Sequence, residues 1–507
     1  MGDDMLTRIA FVASALALGA PLAQAAGDLE KISHILVIYL ENRSFDHLFG
    51  AFPGAEGINS SAAKIEQRKL DGTVYNTLPS PEHPGPFQID GNLPEIKALK
   101  LPDNLPNAPF PIDHVHADIT LSTFTRDLVH RFYTNRSQIN GSRNDRYVAY
   151  SDALGLAMGH YSGAAMEKTN LWKLAQDNVL LDNYFQGAFG GSFLNHIWLV
   201  CACAPKFPDA DQLEGDPKYK HRVRSELDDN GNPLPQGANP RSGDKIATAA
   251  VDDDKTGGPR AVNTIQSMLF HQDGAVGPLL PAQDARTIGD QLSAKQIDWA
   301  WYSGGWNLAN LLTRTPQEQT QLQEDVKFQW HHQPFAYFSR FNRNTPEGQM
   351  QRRRHLKDST DLDIDIRTGQ LPPVAFYKPA GSLNQHPDYS EIVAGDVELQ
   401  RIVDLMNASP MKNSYAIVIT YDEFGGFFDH VAPPMGAAAG ARADYFGPGP
   451  RVATIVVSPF VEHGTIDKRP YETTSILKLI ADRFGLEPLP SPRFNAVDSL
   501  ARVFEGP

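Results

Sequence analysis

Six stretches of this chain are almost continuously apolar: HILVIYL (34–40), NVLLDNYF (178–185), IDWAWYS (297–303), PPVAFYKP (372–379), YAIVITYD (415–422) and VATIVVSP (452–459). Alternating apolar and polar positions would mark strands with one wet face. Unbroken β-branched and aromatic runs of this length instead predict strands covered on both faces. Helical spacing appears between them, in LWKLAQD (171–177), in RTIGDQLSAKQ (286–296) with Thr287 as its cap, in DVELQRIVDLMNAS (396–409) and in TTSILKLIADRFG (473–485), which ends on a glycine. The alternation predicts an α/β fold with a mostly parallel central sheet and helices on both faces.

Two regions break the pattern. Residues 53–113 and 204–285 are rich in Pro, Gly, Asp and Asn and lack periodicity, so they are expected to form long loop insertions, a lid or rim around a site. Within the second, LDDNGNPLP (227–235) starts like a calcium loop but lacks the Glu at loop position 12, and it reads as a hairpin turn.

The 507 residues, 41% of them hydrophobic, suffice for a large core, and residues 26–507 are expected to form a single catalytic domain carrying those insertions. Residues 1–25 read as a Sec-type signal peptide: Arg8, the apolar run IAFVASALALGA, then Ala23–Ala25 as a small-x-small cleavage pattern. About 12 apolar residues cannot span a bilayer and no later segment comes close, so no transmembrane segment is expected and the chain is assigned to the periplasm or the exterior. A formal net charge of −14 excludes a non-specific nucleic-acid binder, which needs a basic face. The RRRH run (352–355) is a local exception and reads as a solvated helix face. Cys201 and Cys203, one residue apart on a regular element, would face different ways, which predicts buried free thiols.

Ligands in an open parallel sheet bind beyond the carboxyl ends of the strands. HILVIYL runs into Glu41 and Asn42, and YAIVIT into the adjacent acids Asp422 and Glu423. Both sets fall on one edge. Three carboxylates and an amide are hard oxygen donors, and desolvated together they would call for a divalent cation of the Mg, Ca or Mn type. Spacing alone leaves unrelated caps and exposed strand ends as an equal account. In QGAFGGSFLNHIWLV, glycines lead into Ser192 at the start of an apolar helix, where the exposed amides favour an anion such as an alkoxide or a phosphate. A turn serine fits the same letters. Asn195 is a further polar contact, and His196 reads as a satisfied, half-buried histidine. His130, His386 and the pair His331 and His332 can stabilise or protonate a phosphoryl group, though each taken singly also fits a structural role.

Taken together, ENRSFDHLFG (41–50), the NGSRND stretch after His130 (140–145), NQHPDYS (384–390) and TYDEFGGFFDHVAPP (420–434) resemble the bacterial phosphoesterase family that contains non-specific phospholipases C and related secreted acid phosphatases. The resemblance implies an alkaline-phosphatase-like core and one divalent metal ion held by Glu41, Asn42, Asp422, Glu423 and Ser192. It also implies Ser192 as nucleophile, and His130 and His386 lining a phosphate pocket beside Asn42. It does not say which of His331 and His332 points inward. The GGS context of Ser192, where the phospholipases carry GPT, is closer to the acid phosphatases. The expectation is therefore a metal-dependent acid phosphatase that hydrolyses phosphomonoesters through a phosphoserine, with an acidic optimum from histidines protonated below about pH 6.5. A phospholipase C cleaving phospholipid headgroups is the first alternative, and a non-catalytic phosphate or polyanion receptor a remote one. A sulfatase-like esterase lacks its C-x-P-x-R or S-x-P-x-R motif here. The partner in the leading readings is a small phosphate ester or a phospholipid.

Overall fold

The apolar runs become strands of one eight-stranded sheet. Its strands are β1 (His34–Leu40), β2 (Val179–Leu181), β3 (Trp299–Ser303), β4 (Leu356–Asp358), β5 (Val374–Lys378), β6 (Tyr415–Tyr421), β7 (Thr454–Val457) and β8 (Thr465–Asp467), of which β4 and β8 lie outside the six runs. The computed structural model describes residues 29–80, 101–208, 251–252, 261–272, 275 and 278–505. The signal-like segment, the LDDNGNPLP stretch and parts of both loop insertions lie outside the described residues.

The spatial order is β8-β2-β7-β6-β1-β5-β3-β4. Five neighbouring pairs are parallel, and only β7 runs antiparallel, to both β6 and β2. NVLLDNYF does not stay in one strand. β2 stops at Leu181, and Tyr184–Phe185 pairs instead with Tyr471–Glu472 in a small separate sheet.

The main helices are α1 (Phe132–Ile139), α2 (Asn170–Asp177), α3 (Ser192–Cys201), α4 (Ile288–Ala294), α5 (Pro346–His355), α6 (Ser359–Thr368), α7 (Ile392–Ala408) and α8 (Thr473–Phe484). Both faces of the sheet are covered, as unbroken apolar strands require. Tyr39 of β1 donates its hydroxyl to Asn195 O of α3, at 3.3 Å. Its neighbour Ile38 is in register with Tyr377, whose hydroxyl donates to Glu398 of α7. Successive side chains point to opposite faces, so α3 and α7 lie on opposite sides. The caps follow the sequence: Thr287 and Asp290 form a capping box on α4, and α8 ends at Gly485 in the left-handed conformation (φ 59°).

Two expectations are corrected. Cys201 and Cys203 form a disulfide. α3 stops at Cys201 and Ala202 turns left-handed (φ 48°), so the regular element that would have kept the sulfurs apart ends between them. RRRH is only half solvated: Arg353 and Arg354 are exposed, but Arg352 and His355 are buried, because Arg352 reaches Phe341 O and His355 reaches Trp299 O. Among the described residues no helix is long and apolar enough to cross a membrane.

Candidate active site

β1 and β6 are paired in register through Leu40 and Tyr421, so Glu41 and Asp422 leave the sheet side by side. The turn after β1 is tight. Asn42 sits at φ 57° and donates its backbone N–H to Asp422 Oδ1, at 3.1 Å. Gly425 completes the facing loop at φ 66°, where a Cβ would stand 2.2 Å from Asn42 O, so both conformation and space demand glycine. Gly190 (φ 83°) does the same on the third side: a Cβ there would be 2.6 Å from Phe132 N at the start of α1. That close approach delivers Ser192 as the first residue of α3, with Gly191 as a cap that offers no side chain.

Ser192 Oγ lies 2.9 Å from Glu41 Oε2 and 3.1 Å from Asn42 Oδ1. Glu41 Oε1 is held by Lys378 Nζ at 2.5 Å and His332 Nε2 at 2.7 Å, contacts that lie off the hydrogen-bond axis. Asp422 Oδ2 and Glu423 Oε1 are buried with no hydrogen-bond partner among the described residues. Asp422 Oδ2 is 3.8 Å from His196 Nδ1, and Glu423 Oε1 is 3.6 Å from His130 Nε2. The rings of His130 and His386 are 6.3 Å apart, and Asp127 stands behind them, 3.5 Å from His130 Nδ1. Every expected site residue therefore meets at this edge. Both histidines of the HH pair belong to it, with His332 on Glu41 and the His331 ring 5.5 Å from that of His196.

The charges are unequal. Burial alone would raise the Glu41 carboxyl, but Lys378 and His332 hold it well below the usual carboxylate range. Asp422 and Glu423 go the other way: burial, then the charge of Glu41 on Asp422 and of Asp422 on Glu423, push both well above it. Three enclosed carboxylates face one lysine, with two oxygens unpartnered. That donor set fits a hard divalent cation, which Asp422, Glu423, Glu41 and the Asn42 amide oxygen would hold; Glu41, His196 and Asp422 bring donor atoms within 4.8 Å of one another. The histidines depart from expectation. Burial lowers His130, His196 and His331, takes His332 down to about 4 and His386 to about 3. Enclosure thus works against the protonated imidazoles on which the expected acidic optimum rested.

Two participants were misjudged or missed. His196 is fully buried rather than half-buried: it is one turn along α3 from Ser192, its Nδ1 bonded to Ser192 O at 2.8 Å. The four-residue spacing on one helix face was a readable signal. Lys378 was passed over inside PPVAFYKP, although it ends an apolar strand just as Glu41 and Asp422 follow theirs.

A second buried network ties the two acid-bearing loops together. Arg451 donates from Nε to Asp429 Oδ1 and from Nη2 to Asp46 Oδ1, each at 3.0 Å. Asp429 accepts the Asp46 backbone N–H, and Asp46 accepts both His430 N and His430 Nδ1, each at 2.7 Å. Two carboxylates thus meet one guanidinium and one imidazole. Burial would lower His430, but its bond to Asp46 outweighs this and its pKa lies above the ordinary value. Its stabilising contribution is therefore complete below the unfolded-state pKa and is lost as pH rises through the folded one. In urea unfolding, the stability gap between the native chain and His430→Gln should shrink from about pH 5.5 to about pH 9. A gap that widens with pH would refute this reading.

The sequence profile of the phosphoesterase family matches residues 32–487. The chain belongs to that family. As a family member it is a phosphoric ester hydrolase. It is similar to phospholipase C B of Mycobacterium tuberculosis strain H37Rv, 23% identical over 532 aligned residues that cover 96% of this chain and 83% of that protein. It is also similar to the non-hemolytic phospholipase C of Pseudomonas aeruginosa PAO1, 21% identical, covering 95% of this chain and 58% of that one. Among solved structures, an alkaline phosphatase superfamily protein from Vibrio parahaemolyticus aligns at a TM-score of 0.28 with 9% identity, over 65% of this chain and 64% of that one. The α/β assignment stands on the sheet itself.

Proposed function

We propose that this phosphoesterase is a metal-dependent phospholipase C-type enzyme that cleaves a phosphodiester headgroup through a covalent phosphoserine. The observation that carries the reading is Ser192 Oγ between Glu41 Oε2 and Asn42 Oδ1, at the N-terminus of a buried helix and beside unpartnered carboxylate oxygens. The two relatives named above, both called phospholipases C, favour a phosphodiester over the phosphomonoester that the GGS context suggested.

A bound divalent cation would supply an activated hydroxyl and neutralise charge on the phosphoryl oxygens. Ser192 Oγ attacks phosphorus in line, and Glu41 Oε2, at 2.9 Å, is placed to accept its proton. The bond from phosphorus to the leaving alkoxide breaks, and one proton passes in net from Ser192 to that oxygen. Water then hydrolyses the phosphoserine. Lys378 keeps Glu41 ionised, while His130 and His386 line the approach of the phosphate. Export to the periplasm or beyond completes the proposal.

The test compares p-nitrophenyl phosphate, its bis-ester and phosphatidylcholine, each before and after chelation. Chelation should remove activity by at least about 100-fold on every substrate, and kcat/KM should favour the diesters by about tenfold or more. A tenfold preference for the monoester would restore the acid phosphatase reading.

A further inference from the structure

Among the described residues nine large apolar side chains are left exposed, and four of them lie within two residues of groups joined by one buried guanidinium. Arg352 of α5 donates from Nη2 to Leu269 O at 3.4 Å and from Nη1 to Asn310 Oδ1 at 2.9 Å. Its guanidinium lies over the rings of Phe270, at 5.3 Å, and Trp306, at 5.6 Å. Three separate segments are thereby drawn to one point, and each leaves apolar side chains outside. Met268 is 50% exposed, Leu311 37%, Leu312 69% and Met350 54%. Scattered apolar residues are ordinary on a surface, but a convergent group of flexible ones marks a docking face.

Charge narrows the partner. On a chain of net charge −14, the segment 340–354 carries five arginines against one acid, Glu347. Arg340 pairs with Asp290, and Arg354 with Asp298 at 2.5 Å. Arg343 and exposed Arg353 have no ion pair among the described residues. Position links the face to the site. β3 ends at Ser303, and the chain passes through Gly304 and Gly305 into the short helix Trp306–Ala309, which leads directly to Leu311 and Leu312. Leu311 and Leu312 therefore emerge at the same sheet edge as Glu41, Lys378 and Asp422. β3 and β4 lie two and three strands from β1, a lateral offset of about 10–15 Å.

We propose that Met268, Leu311, Leu312 and Met350, with Arg343 and Arg353 beside them, form a docking face for an anionic phospholipid bilayer. The apolar side chains enter the acyl boundary while the guanidinium groups meet lipid phosphates, which holds the catalytic edge against the surface. The purpose of this face rests on the phospholipid reading above, but its existence is tested separately.

The full chain is sedimented with vesicles of phosphatidylcholine alone and of phosphatidylcholine with about 30% phosphatidylglycerol, at low and high salt. Partition to the anionic vesicles should be at least about tenfold stronger and should weaken with salt. Leu312→Asp combined with Met350→Asp should lower it by about tenfold or more, and Arg353→Glu should lower it and flatten its salt dependence. Turnover of soluble bis(p-nitrophenyl) phosphate should stay within about twofold in these variants, which checks that they fold, since none of these residues is in the catalytic pocket. Equal partition to both vesicles, or a double variant that binds like the native chain, overturns the proposal. So does light scattering that shows a dimer which the double variant dissociates, because the face would then belong to a second copy. If the native chain hydrolyses no ester at all, the activity reading fails, while vesicle binding is still scored independently.

Discussion

Ser192→Ala is expected to lower kcat by about 10⁴-fold while the chain keeps its fold and unfolds at nearly the same temperature. The side chain is buried at the first turn of α3, and alanine is tolerated there, because Gly191 rather than Ser192 is the cap and no capping bond is lost. What disappears is the hydroxyl that Glu41 Oε2 and Asn42 Oδ1 both reach. Rapid-quench kinetics on a diester should show a burst of alcohol release from the native chain and none from the variant. A variant that retains a tenth of native turnover would exclude Ser192 as nucleophile. Loss of activity accompanied by a large fall in thermal stability would point to a packing role instead.

Arg451→Met should be the most damaging single change outside the catalytic pocket, at about 3–5 kcal/mol of stability, the range for breaking a buried ion pair by removing one partner. The side chain is fully buried. Besides Asp429 and Asp46, its Nη1 donates to Glu56 O and Asp182 O, each at 2.8 Å, and the guanidinium stacks 4.1 Å above the Phe45 ring. Methionine keeps much of the stem volume but strands two carboxylates. Asp429, already raised to about 6 by burial against the pull of Arg451, would then protonate. Because Asp46 follows Glu41 and Asn42 on one loop and Asp429 follows Asp422 and Glu423 on the other, activity should fall with stability. Urea unfolding of Arg451→Met, of Asp429→Asn and of the double variant would measure the coupling. A double variant less damaged than the sum of the singles is the expected result. An Arg451→Met protein within about 1 kcal/mol of the native chain would show that the loops hold together without this bridge.

Much of this architecture was readable because covered strands have a distinctive composition. HILVIYL and YAIVIT needed no partner information to be recognised as buried on both faces, and the acids following them could only emerge at a strand tip. Where the prediction failed, a local rule had been carried across the end of an element. The two cysteines were judged on a continuous helix or strand, but the helix ends between them. NVLLDNYF was judged as one strand, but two turn residues divide it between two sheets. The histidines were judged at their ordinary pKa, although burial first, and then the charge of Lys378 for His196 and His332, lowers it.

The sequence by itself determined the α/β class and the covered sheet, and it offered a strand-tip set of hard oxygen donors and a serine after glycines as candidates, since each is a property of short segments. Only the tertiary structure decided which of these groups are charged and which meet. The role of Lys378 on Glu41, the burial of His196, the Arg451 bridge and the apolar face around Arg352 all depend on contacts between segments tens to hundreds of residues apart, and burial and Coulomb interaction act through space rather than along the chain.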